Sequence, residues 1–600
     1  MRFVKICITI FLFVSPVFGG ELLEVAKMVA LTEGQVLEQE APEVQKECGD
    51  EAVLAKRKEP ITVDAEIEMT FEVKAYKGLE ATPERKFIPF ENDGFDEKWI
   101  KLISAENDSQ RSETVSELCK GMSQEEAMAF AGYIGRKNSN VYDYERVSSS
   151  GNEQARDEAI SIDEYYAVHR NNEGLGDPNG RKKMGICGDA ATLVADFLSK
   201  CNFKCEDIDI VSYRTTSGGH QVVSTRGEDG SYYTANWSSV ERDRNTPVGD
   251  IDTPNTNIAV TSPSIELWDC NGKPKGKVTT PLGTLLMLAH EDPEAISLPQ
   301  DYQEVSFVAK NVGGLDEVKV KAFKASASNG QKLSGIGARI SKQMGTKNNL
   351  FSMEIDGSII LAKAQKDLQI DNFGTMMNLE QTILSPHARI RTDFNPIRFE
   401  NFQAGIFAEA KSTVFYMDNV ENLNGELADN STNADAMTRV RSGVTASAQT
   451  DNFRFEATGG VGGEILRNFN QQGSAHINGE VVERKQEFKA NEIFANGRVD
   501  FVSKNGNDAH IQVRYRDMYL LDRSVIEVQA GKKFGKNKFN GGVSIIKNPG
   551  KETINALSLA YSRQFQLRKN YVEVSGGVKY LIIKDSPSEK LLNVSVAYKF

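Results

Sequence analysis

Cys187, His220 and Asn236 are the residues whose types and spacing could do chemistry together. Cys187 lies in Met184-Gly185-Ile186-Cys187-Gly188-Asp189-Ala190-Ala191, where a glycine-flanked turn predicts the start of a helix. A thiol is a useful nucleophile only as thiolate, and a helix N-terminus lowers its pKa through the macrodipole and unpaired N–H groups. Those N–H groups could also hold an oxyanion as sulfur attacks an acyl carbon. His220, after a Ser-Gly-Gly turn, would take the thiol proton and return it to a leaving amine. Asn236, at the end of an aromatic run, would fix the histidine tautomer. Singly, each has a plainer reading: a cysteine at a helix start is usually core, and a histidine after a turn is usually solvated. Taken in order, the three favour a thiol site. Asp189 is expected to be solvated or to cap the first turn, since a carboxylate aimed at sulfur would oppose thiolate formation. His169 is an alternative base, but its neighbours Tyr165, Tyr166 and Val168 point to packing.

Several elements must position these groups. Ala190, Leu193, Val194, Phe197 and Leu198 fall on one face of the Cys187 helix. Strands are expected over 208–214, 220–225 and 232–237, with a turn at 227–230. Earlier helices are expected over 112–136 and 155–170, and a last short helix over 282–290. A helix on an antiparallel sheet is the α+β arrangement. Ahead of these, residues 20–60 read as a loosely ordered charged leader, and alternation from Ile61 to Met69 predicts a strand over 61–75.

This order of Gly-x-Cys at a helix start, histidine at a strand start, hairpin, and polar residue on the next aromatic strand resembles the transglutaminase-like cysteine hydrolase/acyltransferase superfamily over residues 155–245. The resemblance implies a papain-like α+β core with Cys187 as nucleophile, His220 as base and Asn236 as third member. It implies amide hydrolysis or acyl transfer. The family usually has Asp, often followed by Pro, where Asn236-Trp237 stands, and a bulky aromatic where Gln221 follows His220. An asparagine orients the ring without a charge, as in papain-type sites. These departures raise the alternative of a degenerate, binding-only domain.

The chain has 600 residues and a formal charge of −13, and a length this great predicts more than one domain. Residues 301–600 carry about +6, which leaves about −19 for the first half. Every cysteine and tryptophan precedes residue 271. The acidic balance gives no reason to expect nucleic-acid binding, since neutralising phosphates needs clustered Lys and Arg. Arg2 and Lys5, then an apolar run from Ile6 to Val14, then a small residue at Gly19, read as a secretory signal over 1–19. Export allows disulfides, and Cys201 with Cys205 is a candidate pair by sequence proximity. His169, His220 and His290 form no ligand-spaced cluster, so neither a metal nor another cofactor is expected.

The second half changes character. Segments of about ten residues alternate apolar and polar, as in Phe402 to Ala410 and Phe453 to Ile465, and about 12 such strands fit the length. The final run Leu592 to Phe600 resembles the closing strand of bacterial outer-membrane β-barrels, whose terminal aromatic is read by the barrel-assembly machinery. With no tryptophan there, any interfacial girdle must use Tyr and Phe. A soluble β-sandwich or solenoid is the competing reading.

The expected organisation is therefore a signal peptide at 1–19, a leader and small α/β region at 20–110, a transglutaminase-like domain at 111–290, a linker at 291–302 and an outer-membrane barrel at 303–600. The expected partners are outer-membrane lipid, the assembly machinery, and peptidoglycan or a periplasmic protein as substrate, with the N-terminal domain in the periplasm. A non-catalytic pore or envelope anchor and a surface-displayed passenger are the other two readings.

Overall fold

The computed structural model describes residues 68–79, 84–89, 94–143, 161–183, 187–201, 203–216, 218–226, 232–236, 239–244, 261–272, 274–291, 301–312, 314–327, 330–346, 350–369, 374–468, 474–477, 480–483, 487–501, 509–518, 523–547, 554–567, 570–583 and 589–599. The expected signal peptide, the leader, Cys48, the turns at 184–186 and 227–230, Trp237, most of the 291–302 linker and the terminal Phe600 lie outside the described residues.

Strand β1 (Glu68–Leu79) comes first. An α/β region follows: β2 (Glu84–Phe87), α1 (Phe95–Ile103), α2 (Asp108–Cys119), α3 (Gln124–Val141), α4 (Ile162–Asn172), α5 (Cys187–Lys200), β3 (Ile208–Thr215), β4 (Gly218–Arg226), β5 (Tyr232–Ala235), β6 (Val240–Arg244), β7 (Ser264–Trp268), β8 (Pro274–Thr279) and α6 (Pro281–Ala289). Then come β9 (Asp301–Val312), β10 (Leu315–Ser326), β11 (Lys332–Gly345), β12 (Phe351–Gln369), β13 (Met376–Phe399), β14 (Phe402–Leu423), β15 (Glu426–Thr450) and β16 (Phe453–Asn468). A hairpin of β17 (Ser474–Ile477) and β18 (Glu480–Glu483) precedes β19 (Glu487–Phe501), β20 (Ala509–Met518), β21 (Arg523–Phe534), β22 (Asn537–Lys547), β23 (Ile554–Leu567), β24 (Asn570–Ile583) and β25 (Glu589–Lys599).

The barrel is closed and antiparallel, and it has 16 strands rather than about 12. β1 pairs with β9 on one side and β25 on the other, in the register Thr70↔Lys599 and Tyr76↔Tyr302. The barrel therefore does not begin at 303. Its first strand precedes the α/β region, which is an insertion between the first and second barrel strands. Of the strand expected over 61–75, residues 68–75 fall in β1 and 61–67 lie outside the described residues. The partners of β1 lie hundreds of residues away, so sequence neighbourhood assigned it to the leader. The same register puts the insertion and the two ends of the barrel chain at opposite mouths: β1 starts beside the end of β25 and finishes beside Lys590.

Alternation explains the wall. Ile406, Val444, Val461, Leu559 and Val594 are exposed on the outer face, while inward positions carry charges and small polar groups, as a lipid-embedded barrel requires. At the terminal mouth the outer face carries Phe351, Phe394, Phe399, Phe402, Phe501, Phe534, Phe539, Phe565 and Tyr571, a girdle without tryptophan. Connections at this mouth are short, as at 400–401, 451–452 and 535–536. Connections at the other mouth include the whole insertion and the β17–β18 segment. Other connections at this mouth span two to six residues; the shortest, Asn424-Gly425, is a two-residue turn with both residues at positive φ, which suits the twist of a hairpin.

The inserted region is a seven-stranded antiparallel sheet in the order β2-β6-β5-β4-β3-β7-β8, with α1 to α5 packed on it. Its core holds Trp99, Phe130, Tyr166 and Phe197 against Ile208, Ile210 and Val223. The single helix expected over 112–136 is two, because Gly121 at φ +89° turns the chain and Ser123 with Glu126 forms a capping box that starts α3. Disulfides join Cys119 to Cys201 and Cys205 to Cys270. The Cys201–Cys205 pairing is thus overturned: each sulfur meets a partner from another element, with Cα–Cα distances of 5.5 and 5.3 Å. His169 is buried and donates from Nε2 to Asn138 Oδ1 at 2.8 Å. Burial, then the Lys137 charge, lowers its pKa to about 3.

Candidate functional site

Cys187 is the first residue of α5 and stands outside both disulfides. His220 Nε2 donates to Asn236 Oδ1 at 3.1 Å. Strand geometry makes this contact: Val223 faces Ala235, so His220 and Asn236 are diagonal neighbours on one face of the β4–β5 pair. Tyr213 lies directly opposite His220 across β3–β4, with ring centroids 5.5 Å apart in an edge-to-face arrangement. Burial, the Cys187 charge and the Glu241 charge, in that order, raise the Tyr213 hydroxyl pKa.

Sequence spacing brought His220 and Asn236 together correctly but missed Tyr213, whose only signal was its place in the alternating run 208–215. Alternation also sets Tyr213 and His220 on the face of Val211 and Val222, not on the face of Ile210 and Val223 that α5 covers. Cys187 opens α5 at its N-terminal end, and its charge is one of the causes that raise the Tyr213 hydroxyl pKa. Asp189 is buried, not solvated, because the first turn of α5 is enclosed.

The second constellation lies in the lumen. The helix expected at 282–290 is not part of the inserted domain's core. As α6 it packs against Tyr302, Phe323, Leu333, Ile360, Ile383 and Phe415 on the inward wall of β9 to β14. Thr280 caps it, accepting from Gly283 N at 3.2 Å, and Pro281 occupies the first turn, where its missing N–H costs nothing. Thr280 also donates through Oγ1 to Ser262 O at 3.2 Å, so the helix hangs from the strand pair β7–β8. The same segment ties the domain to the wall. Ser262 Oγ donates to Asp435 at 2.7 Å, and Asn433 Nδ2 donates to Thr261 Oγ1 at 2.9 Å.

Beyond the helix end, His290 bonds Ser358 and Ser385, each at 2.8 Å. Ser385 gives its own proton to Val414 O at 2.9 Å. It therefore accepts from His290 Nε2–H, and Nδ1 accepts from Ser358. Glu291 sits at φ +59°, a backbone state that costs a non-glycine residue about 1 kcal/mol or more. Its carboxylate pairs with Lys319, with Lys321 at 3.1 Å and with Arg339 at 3.0 Å. Lys319 and Lys321 also hold Glu304, at 2.8 and 3.2 Å, and Arg339 also holds Asp356 at 3.0 Å. Further round the wall Arg389 bonds Glu409 and Glu354, and Arg441 bonds Glu492. Glu291 had been placed in a linker. The sequence signal that could have corrected this is the pair Lys319 and Lys321, two cations on the inward parity of β10.

Among the described residues no group of side chains could hold a metal ion. A closed antiparallel barrel with an apolar outer face, an aromatic girdle and a polar lumen is of the outer-membrane type, and the protein resides in the bacterial outer membrane. No family model and no curated protein matches the chain. Solved structures similar to part of it include CdiB from Acinetobacter baumannii, at 10% identity and TM-score 0.33 over 50% of this chain and 57% of that one. The CymD monoaromatic hydrocarbon channel matches at 13% identity and TM-score 0.26, over 50% of this chain and 82% of that one. The copper transporter OprC matches at 9% identity and TM-score 0.30, over 64% and 62%. The chain spans less than two thirds of the length of CdiB from A. baumannii or from Escherichia coli, 57% and 60%.

Proposed function

We propose that the protein is a gated outer-membrane barrel in which α6 is the plug and the inserted domain is an outward-facing binding module that carries it. The seat of α6 in the lumen is the observation behind this reading. A 16-strand barrel encloses space for an aqueous channel, and among the described residues α6 packs against the wall of β9 to β15. The inward positions of β22 to β25 carry small residues such as Ser544, Ser558, Ser575 and Ser595. Besides the apolar seat of α6, contacts between domain and wall include side-chain hydrogen bonds of Thr216, Thr261 and Ser262, polar contacts of the kind that permit relative motion.

Outer-membrane barrels keep short turns in the periplasm and long connections outside. The terminal mouth has the short turns, which favours an outward inserted domain. The sequence led to the periplasm because the domain was expected ahead of the whole barrel. One strand crossing before it reverses the side, and peptidoglycan would then be out of reach. Planar-bilayer recordings test the plug: replacing residues 281–291 by a Gly-Ser linker of equal length should give steady conductance where the parent opens briefly. Equal, low conductance in both would overturn the reading.

A second reading, thiol-dependent amide hydrolysis or acyl transfer by a transglutaminase-like site, is favoured by the His220–Asn236 bond and by Cys187 standing outside the disulfides. Iodoacetamide labelling of Cys187, mapped by mass spectrometry at neutral pH, should slow in His220→Ala. Equal rates in the two proteins would count against a base at His220.

A further inference from the structure

The geometry points to a carboxylate-binding site in the lumen that Glu291 fills in the plugged state, and to small organic anions as the solutes admitted when α6 withdraws. This inference rests on the gated-barrel reading and names the solute class for it. Three cationic side chains from two adjacent strands converge on one carboxylate. Lys319 and Lys321 both reach Glu291 Oε1, and Arg339 reaches Oε2. Charged groups placed to fork a carboxylate in this way recognise it by geometry as well as charge.

The site belongs to the wall, while its occupant belongs to the plug. Lys319, Lys321 and Arg339 stand on barrel strands, with Lys74 of β1 beside them, 3.9 Å from Glu304. The wall's own carboxylates in this cluster are Glu72, Glu304 and Asp356. Four cations against three carboxylates leaves the wall short of one negative charge, which Glu291 supplies. Lys319 and Lys321 are buried, and a buried cation that loses its counter-ion must find another. A small cavity lies at the same place, lined by His290, Glu291, Lys319, Lys321, Arg339 and Ser358. The left-handed backbone at Glu291 fits an occupant held in place by these contacts rather than by local preference. Withdrawal of α6 removes Glu291 and exposes a carboxylate-shaped cationic site to whatever anion enters.

The experiment is a planar-bilayer comparison in a potassium chloride gradient, with succinate as the carboxylate probe. Glu291→Gln should conduct more often than the parent and favour chloride over potassium about tenfold, as a focused positive lumen would. Millimolar succinate should block that current. Adding Lys321→Gln should abolish both selectivity and block, whereas Glu291→Asp, which keeps the charge, should stay closed like the parent. Retained electrophoretic heat-modifiability reports that each variant is folded. A conducting Glu291→Gln channel that prefers potassium or ignores succinate overturns the anion site and leaves the gated pore standing. If even the variant lacking α6 is silent, the gated pore falls and the anion route falls with it.

Discussion

Thr70 on the first barrel strand lies opposite Lys599 on the last. That closure makes the α/β region an insertion after one membrane crossing, reached from the mouth opposite the barrel's termini. It also lets a helix of the insertion, α6, enter the lumen before the second strand begins.

The side of the inserted domain can be read on intact cells. Protease added outside should digest within residues 84–279 while an epitope fused after Phe600 stays protected. Digestion of the epitope with the domain intact would reverse the assignment.

The inserted domain should lose stability as pH falls. His169 is neutral when folded, with its pKa lowered to about 3 from 6.5, so the unfolded chain binds the extra proton between these values. Stability is complete above pH 6.5 and declines as pH falls through the window. By linkage the loss is about 2 kcal/mol by pH 5. Denaturant unfolding followed by Trp99 fluorescence, beside the His169 ring, measures it. His169→Phe should flatten the slope in that window while lowering stability at neutral pH, because Asn138 loses its partner.

The Cys119–Cys201 bridge closes a separation of 82 residues. Loop-closure entropy for such a span is worth about 4 kcal/mol. Cys119→Ser should lower the domain's unfolding midpoint accordingly and leave the temperature of barrel unfolding in detergent unchanged.

Glu492 is buried in the lumen wall and takes Arg441 Nε at 2.6 Å, with Arg439 Nε at 3.8 Å. Removing Glu492 leaves Arg441 with Glu409 at 3.8 Å and Arg439 with Glu464, so the cost falls below the about 3–5 kcal/mol of a buried charge left wholly unpaired. Glu492→Ala should therefore lower the temperature at which the barrel loses its folded electrophoretic mobility, and Glu492→Ala with Arg441→Ala should recover part of that loss.

The barrel wall was legible in the sequence because its information is local. Phe402 to Ala410 and Phe453 to Ile465 alternate whatever their neighbours are, and lipid outside with polar groups inside demands that period. Strand number was less legible. Alternation does not mark where a long strand such as β15 ends, and β1 declares its membership only through partners on β9 and β25. The contacts made at longest range were not readable. Leu282, Leu285, Leu286 and Met287 look alike whether a helix packs in a domain or against Phe323 and Phe415 inside a barrel. Cysteine pairing is likewise a tertiary fact, and Cys201 took Cys119 over its near neighbour. In the candidate site, the type and order of His220 and Asn236 were enough to foresee their hydrogen bond. The face on which they stand relative to α5 depends on register, and a one-residue change in register reverses it.

The most direct test of the account is covalent. Cysteines placed at Val73 and Val596, opposed in the β1–β25 register, are oxidised in the membrane, and the chain is then cut at a protease site inserted at 80–83. The account predicts that the N-terminal fragment stays joined to the rest in denaturing, non-reducing gels and leaves on reduction. The singly substituted controls should lose it at once. A fragment that separates without reduction, in protein that is otherwise folded, would contradict a barrel closed by a strand from ahead of its inserted domain.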